Sequence, residues 1–577
     1  MINKENDKLY IPKSIKDFSE AELTNLAKKI RKFMIAKNSS TGGHIGANLG
    51  TVELTIALHK VFKSPQEPFL FDTGHQGYTH KILTGRANLF STLNKYGGMN
   101  RFLTPKESTH DIMEASHAGT AISVGLGIAK TRYLKKNNKP VVVVVGDSAL
   151  AEGSSWEALN HAAVEDVKLI IIINDNGYAI SPGFGGLHNL LSSDFGNAPK
   201  FFESLGFKYD GPIDGHNFSE LVPAFERAKE NPTRQIIHVK TVKGYGWEPA
   251  KKHPYKAHFS MPFNPDDGSL KEKVMKSYPD EAASCIEEMM EFNDRIVCIT
   301  PSTLYATGLT NVFDKFPNRS IDPGMEEQHA MSMTVGIATE GYYPIVAFQS
   351  TFLQRAFDQL IHDVCFADLP IMVLSARSGF SGYDNPTHHG IYDISFTQSF
   401  PNLTVLYPKD GHELTAMIRQ AQQKITGPVL IMMPYGPVNY LDVVEEKNVL
   451  APELIYNGDE ILIVTVGNKF IEAEAAAKKI NAGLINLRII NPLPGEFLLK
   501  AFKSYKKIVT IEEAVLNGGV GSSISSLLTD SDSLQELLRL GLPKKFIEPG
   551  SNAELSKVYK LDAEGIVGSI MERWGKN

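Results

Sequence analysis

Short β-branched runs alternate with amphipathic, alanine- and lysine-rich stretches along most of the chain. Apolar runs near 68–72, 140–147, 168–174 and 235–241 predict strands, and stretches at 20–36, 52–61, 118–135 and 155–163 predict the helices between them. The stretch 248–270, "EPAKKHPYKAHFSMPFNPDDGSL", has no clear period, so it reads as a linker or covering loop. The pattern then restarts, with strands expected near 295–300, 344–349, 370–376, 404–407 and 428–433. A charged stretch at 438–453 marks a second boundary, and a third block runs through "EILIVTVG", "AGLINLR" and "KKIVTIEEA". Strands alternating with helices predict an α/β protein of mostly parallel sheets. The expected organisation is three consecutive α/β domains, 1–272, 273–440 and 441–577.

Two of the apolar runs end unusually. "PVVVVVGDSAL" delivers Asp147 straight after its valines, and "KLIIIINDNGY" ends on Asn174, Asp175 and Asn176. In open parallel sheets ligands bind beyond the carboxyl ends of strands. A carboxylate and an amide carbonyl are hard oxygen ligands, and Mg²⁺ takes few such groups, filling its other positions with water and ligand phosphates. The pair Asp147 and Asn176 therefore reads as a metal clamp for a diphosphate, if the two strands are neighbours. The competing reading is that Asp147 caps the next helix and Asn176 only turns the chain. Small residues in "SHAGTAISVGLG" (116–127) open a helix and let a ligand approach its first N–H groups. His44 lies in the glycine-rich loop "SSTGGHIGANLGT", and His75 and His80 follow the strand near 68–72. One such histidine is more often structural than catalytic; several in loops beside apolar runs point to a site.

Composition narrows the classes. A chain of 577 residues exceeds one hydrophobic core. A net charge of −6 argues against a nucleic-acid surface. The three cysteines, Cys285, Cys298 and Cys365, form no CxxC pair and fit a reducing cytoplasm. The polar start "MINKENDKLYIPKS" lacks a signal-peptide core, and no run approaches the roughly 18 apolar residues of a membrane span, so no membrane partner is expected.

The motifs "GGHIGANLGTVELTIALH", "GHQGYTHKILTGR", "EALNHA", "PIDGHN", "EEQHAM", "STFLQRAFDQLIHDV" and "GLPKKFIEPG" resemble the transketolase-like thiamine-diphosphate enzymes and, among them, the 1-deoxy-D-xylulose-5-phosphate synthase family. The resemblance covers nearly the whole chain. It implies a transketolase-like fold of diphosphate-binding, pyrimidine-binding and C-terminal domains, in a homodimer. It implies that Asp147, Asn176 and the carbonyl of Tyr178 hold Mg²⁺, and that Ser148, Ala149, Ser116, His117, Ala118 and His75 line thiamine diphosphate. Glu327 then faces the aminopyrimidine ring, with a pKa raised by an apolar pocket, and Phe352 stacks on that ring. The bland alternative for Glu327 is a helix N-terminal acid. His44, Arg377, Asp384 and His388 match residues near the donor carboxylate and developing alkoxide, and Arg355 a further anion contact, unless it pairs with Asp358.

Four positions depart from the family pattern. Ser148 replaces a glycine, Trp247 a tyrosine near the cofactor, Gln349 a tyrosine, and Tyr435 an arginine that binds the acceptor's phosphate. The loop between "PGFGGLHNLL" and "FFESLGFKYDG" is also shorter. The implied reaction joins the two-carbon unit of pyruvate to an aldehyde, by default D-glyceraldehyde 3-phosphate, in isoprenoid and thiamine biosynthesis. Ketol transfer, acyloin formation with an unphosphorylated acceptor, and a catalytically silent cofactor-binding partner stand as alternatives. The glycines of "LNGGVGSSISSLL" (516–528) suit a strand-to-helix turn better than a nucleotide loop.

Overall fold

The computed structural model describes residues 9–12, 14–192, 197–253, 257–441 and 448–575. Most of the polar N-terminal segment, 193–196 of the shortened loop, 254–256 of the covering stretch and 442–447 of the charged boundary lie outside the described residues. The chain forms two compact units, Met1–Lys273 with Pro323–Glu326, and Val274–Asp322 with Glu327–Asn577.

The first unit is built on β1 (Phe69–Asp72), β2 (Val141–Gly146), β3 (Leu169–Asp175), β4 (Lys208–Asp214) and β5 (Gln235–Lys240). They form one parallel sheet in the order β1-β2-β3-β5-β4. Alternate side chains feed two cores. Val142, Val144, Ile170 and Ile172 pack on one face with Leu23, Val52 and Leu221, while Val143, Val145, Ile171 and Ile173 pack on the other with Ile122 and Leu159. A strand buried on both faces needs an unbroken β-branched run, which is why these two read so plainly. Helices Glu20–Thr41, Val52–Val61 and Phe218–Glu230 supply the first face, and Ala121–Leu134 and Gly153–Ala162 the second. The stretch 248–270 covers rather than links. It holds a short helix, Glu248–Lys252, pairs Ser260 with Gly43 and buries Phe263 in the first core.

The second unit carries β6 (Ile296–Ile299), β7 (Ser320–Ile321), β8 (Tyr343–Gln349), β9 (Met372–Ser378), β10 (Thr404–Leu406), β11 (Val429–Pro434), β12 (Glu453–Tyr456), β13 (Ile461–Thr465), β14 (Gly483–Asn486), β15 (Ile489–Asn491), β16 (Lys507–Val515) and β17 (Glu536–Leu542). They make two sheets, β15-β10-β11-β9-β8-β6-β7 and β12-β14-β13-β16-β17. Only the β10–β15 and β12–β14 pairings among the described strands are antiparallel. The three sheets bear out the mostly parallel α/β expectation, with one crossing: β15, from the third block of sequence, edges the second sheet. No described helix is long and apolar enough to cross a membrane.

Candidate functional site

In the first unit the pairing of β2 with β3 sets Gly146 opposite Asn174, so Asp147 and the Asn174–Asn176 run share one sheet end. The backbone N–H of Asp147 donates to the Asn174 carbonyl at 3.2 Å. Of the three polar residues at the end of β3 and just past it, the two other than the candidate Asn176 are already committed. Asn174 takes a hydroxyl bond from Thr241 (2.6 Å) and gives one to Gln76 (2.9 Å). Asp175 is held by His238 Nε2 (2.8 Å) and Lys240. Asn176 Oδ1 accepts the Tyr178 N–H at 3.1 Å, an Asx turn that leaves its carbonyl a second lone pair.

Asp147 is buried, and its carboxylate accepts the Gly177 N–H at 3.1 Å. It does not cap the next helix, Gly153–Ala162, whose N-cap is Glu152. Burial, reinforced by the Asp175 charge, pushes its carboxyl up to about 7 despite backbone N–H bonds and the nearby Lys243 ammonium. Lys243 is itself driven down to about 7 by burial. A divalent cation would meet this under-compensated carboxylate, and the donor set of one carboxylate and neutral oxygens suits Mg²⁺. No described group of three or more His, Cys, Asp or Glu could hold a metal, so a nitrogen- or sulfur-rich centre finds no cluster here.

The phosphate-side candidates lie at the start of helix Ala121–Leu134. The Asp72 carboxylate receives the N–H groups of Gly119 (2.9 Å) and Ala121 (3.0 Å), fixing the turn that follows Ser116, His117 and Ala118. Ser116 and Ala118 are buried, and His117 is half-buried. Ser148 has φ −74° and ψ −35°, ordinary right-handed geometry, so a serine sits there without strain. Ala149 follows it in a short turn whose carbonyl accepts from Ser155 at 2.8 Å.

His44 is the hub of a ring cluster. His75, Phe102, Phe259 and His258 approach it edge-on at 5.3, 5.3, 5.4 and 5.5 Å. Burial holds His75 down to about 3, so it is a neutral imidazole at physiological pH. Lys243 and His258 belong to this neighbourhood and were not singled out from sequence; Lys243 Nζ reaches the Ala179 carbonyl and lies 5.7 Å from the Tyr178 ring. The signal that could have found Lys243 is the same one that found Asp147: it follows the carboxyl end of a buried strand, β5. His80 takes the structural role instead, 2.9 Å from His59 and 3.4 Å from Asp111 in the core. Trp247 gives its indole N–H to the Pro265 carbonyl (2.9 Å) and packs its ring against Phe263 (4.9 Å).

In the second unit Glu327 opens helix Glu327–Thr339 and is 4 % exposed, so it is both a first-turn acid and a buried one. Gln349 ends β8 and sits at the N-cap position of the turn Ser350–Leu353, which carries Phe352. The Phe352 ring meets His388 edge-on at 5.6 Å. Arg355 lies half-buried on the next turn, Gln354–Ala356. Arg377, at φ 65° on the end of β9, donates to Asp384 at 3.0 Å and stacks over the Tyr435 ring at 5.2 Å. The structure thus joins Arg377, Asp384 and Tyr435, and sets Phe352 against His388. Tyr435 is 37 % exposed and presents a ring where an arginine was expected.

Protein-family models match along the chain: "1-deoxy-D-xylulose-5-phosphate synthase" over residues 7–198 and 194–241, "Transketolase, pyrimidine binding domain" over 276–439 and "Transketolase, C-terminal domain" over 453–566. A 1-deoxy-D-xylulose-5-phosphate synthase of Caldanaerobacter subterraneus subsp. tengcongensis is 37% identical over 610 residues, covering 98% of each chain. Those of Halothermothrix orenii and Clostridium acetobutylicum are 36% and 38% identical, covering 98% and 96% of this chain and 97% of each relative.

Proposed function

We propose what this chain does from one premise: it belongs to the 1-deoxy-D-xylulose-5-phosphate synthase family. It is a thiamine-diphosphate-dependent transferase that decarboxylates pyruvate and joins the remaining two carbons to D-glyceraldehyde 3-phosphate, forming 1-deoxy-D-xylulose 5-phosphate, a step of isoprenoid biosynthesis. Neither ketol transfer nor a silent partner finds support among the relatives. The observation that carries the cofactor reading is the buried Asp147 carboxylate beside Asn176 at one sheet end.

When bound, the thiazolium ring supplies the carbon nucleophile and the electron sink. The chain's own residues bind, orient and move protons around it. Asp147, Asn176 and the Tyr178 carbonyl are proposed to hold Mg²⁺ against the diphosphate. Backbone at Ser116–Ala118 and at Ser148–Ala149 faces the phosphate oxygens, and neutral His75 donates or accepts a hydrogen bond without adding charge. Glu327 would hold the aminopyrimidine ring and favour the tautomer that can take a proton, and Phe352 would pack on that ring. Arg377, oriented by Asp384, binds the donor carboxylate, and His44 and His388 give and take the proton of the developing alkoxide. Gln349, Arg355 and Tyr435 face the acceptor. We assign diphosphate binding to 1–272, pyrimidine binding to 273–440 and the C-terminal transketolase-like fold to 441–577, in a cytoplasmic homodimer.

The test is direct. Protein with thiamine diphosphate, Mg²⁺, pyruvate and glyceraldehyde 3-phosphate should release CO₂ and form the deoxyxylulose phosphate, read by mass spectrometry. CO₂ without that product would overturn the acceptor, and no CO₂ from pyruvate would overturn the donor.

A further inference from the structure

We infer that Glu513, on the third sheet, is a positioning residue for the loop that follows Arg377 and carries Asp384 and His388, and that it sets the affinity for pyruvate through that loop. The inference rests on the donor-binding role proposed for those three residues.

Glu513 lies on β16 and is 2 % exposed. One carboxylate oxygen accepts the backbone N–H of Phe380 at 2.7 Å and the side-chain amide of Asn468 at 2.9 Å. The other oxygen lies 2.8 Å from the buried ammonium of Lys469. The approach depends on Gly379, at φ 82°, where an added Cβ would fall 2.3 Å from the carboxylate oxygen. Phe380, two residues beyond the end of the stretch bearing Arg377 and Ser378, is fully buried. It packs with Ile463, Phe470, Val509 and Ile511 of the third domain, and Ile391, just past the loop's far end, enters the same cluster.

The loop between these anchors is tied to itself. Gly379 and Gly390 exchange two backbone bonds of 2.8 Å. Ser381 gives its N–H to His389 Nδ1 (2.9 Å) and its hydroxyl to the His388 carbonyl (2.6 Å). The "GLPKKFIEPG" motif, which the proposed chemistry does not use, adds a bond from the Gly550 N–H to the Gly382 carbonyl at 3.2 Å. A loop with glycines at 379, 382 and 390 has much freedom to lose on binding an anion. Fixing it beforehand lowers that cost and improves ground-state affinity without touching the reacting atoms. Glu513 is a buried side chain through which the third domain does so.

Removing only Lys469 would strand the Glu513 charge, and removing only Glu513 would leave buried Lys469 with the Glu472 carboxylate alone. The test therefore compares two double variants of the full chain. Glu513→Gln with Lys469→Met keeps an oxygen for the Phe380 N–H; Glu513→Leu with Lys469→Met removes it. The expected result is a pyruvate KM within about threefold of the parent for the first and raised at least about tenfold for the second, with kcat and the thiamine-diphosphate Kd unchanged in both. A merely structural role would lower melting temperature without splitting KM from kcat. Equal pyruvate KM in the two variants, or a loss of cofactor affinity in step with KM, overturns the inference. Arg377→Ala separates the layers. If it raises the KM and the Glu513 variants do not, only this inference fails; if it leaves the KM unmoved, the donor-site reading falls and takes the inference with it. Should either double variant fail to fold, Gly379→Ala displaces the same contact from the loop side. It should raise the pyruvate KM likewise, and an unchanged KM overturns the proposal.

Discussion

A buried carboxylate with too little positive charge around it is either strained or waiting for a cation, and Asp147 is such a group. Asp147→Asn keeps the shape and removes the charge. It should weaken Mg²⁺-dependent binding of thiamine diphosphate by about one to two decades, the worth of a charge-assisted contact. Calorimetry at fixed Mg²⁺ reads this, and the variant without cofactor should melt no lower than the parent, since a buried charge has gone. Unchanged affinity would remove Asp147 from the metal site. Tyr435 is the converse case, a ring beneath Arg377 where the sequence resemblance implies an arginine. Tyr435→Arg should lower the KM for glyceraldehyde 3-phosphate roughly tenfold and leave that for unphosphorylated glyceraldehyde unchanged, which steady-state kinetics with both aldehydes would decide. Asp147 and Asn176 were legible because each follows a buried strand. The pleat turns Asp175 away to His238 and Lys240, and Asn174 is taken by Thr241 and Gln76, which leaves Asn176. Lys243 carried the same signal, just past the end of β5, but His258 did not, because nothing in a proline-rich stretch says that it folds back over His44.

Strands buried along their length were legible, the edge strand β1 among them, and edge strands of mixed polarity were not. β2, β3, β8 and β11 are buried along nearly their whole length and read as apolar runs. β4, β12 and β17 edge their sheets, mix polar with apolar positions and escaped notice. The glycine-rich 516–528 run is a strand-to-helix turn, as its spacing suggested, and its ligand is internal. The Glu512 carboxylate accepts the N–H groups of Val520 (2.8 Å) and Gly521 (2.9 Å) at the start of helix Val520–Asp530, the place a phosphate would take. Burial raises the Glu512 carboxyl to about 7, although those N–H bonds and Arg539 oppose it. Between the ordinary glutamate range and pH 7 the folded state therefore holds a proton that the unfolded chain has released. Stability falls as pH rises through that window, by about 3 kcal/mol in all, in order of magnitude. Glu512→Gln does not titrate, so its melting temperature relative to the parent should climb between pH 5 and 8. A difference that stays constant with pH would show that Glu512 carries no such linkage.

The second and third sheets are not separate bodies joined by a tether. Val373, Val405 and Leu430 of the second sheet share one apolar cluster with Leu462, Val464, Ile485 and Ile508 of the third. β15 leaves the third block of sequence to pair antiparallel with β10, and Phe380 and Ile391 enter the third domain's core from the other side. Three blocks of sequence could be read from their restarting α/β pattern, but this exchange could not, because a three-residue edge strand carries no period and a buried phenylalanine does not announce which core receives it. The physical consequence is cooperative unfolding. Exposing the third sheet would uncover Val405 and Leu430 as well, and strip the second sheet of an edge strand, so neither sheet has a stable state without the other. Native-state hydrogen exchange should give amides of β11 and β13 the same opening free energy, and denaturant should raise exchange at both together. Gly379→Ala, which drives a methyl group toward Glu513, should lower protection in β11 and β16 equally. If β13 and β16 exchange at much lower cost than β11, the third sheet opens alone. In that case the loop bearing Arg377 would owe its order to its own internal bonds and not to the domain beneath it.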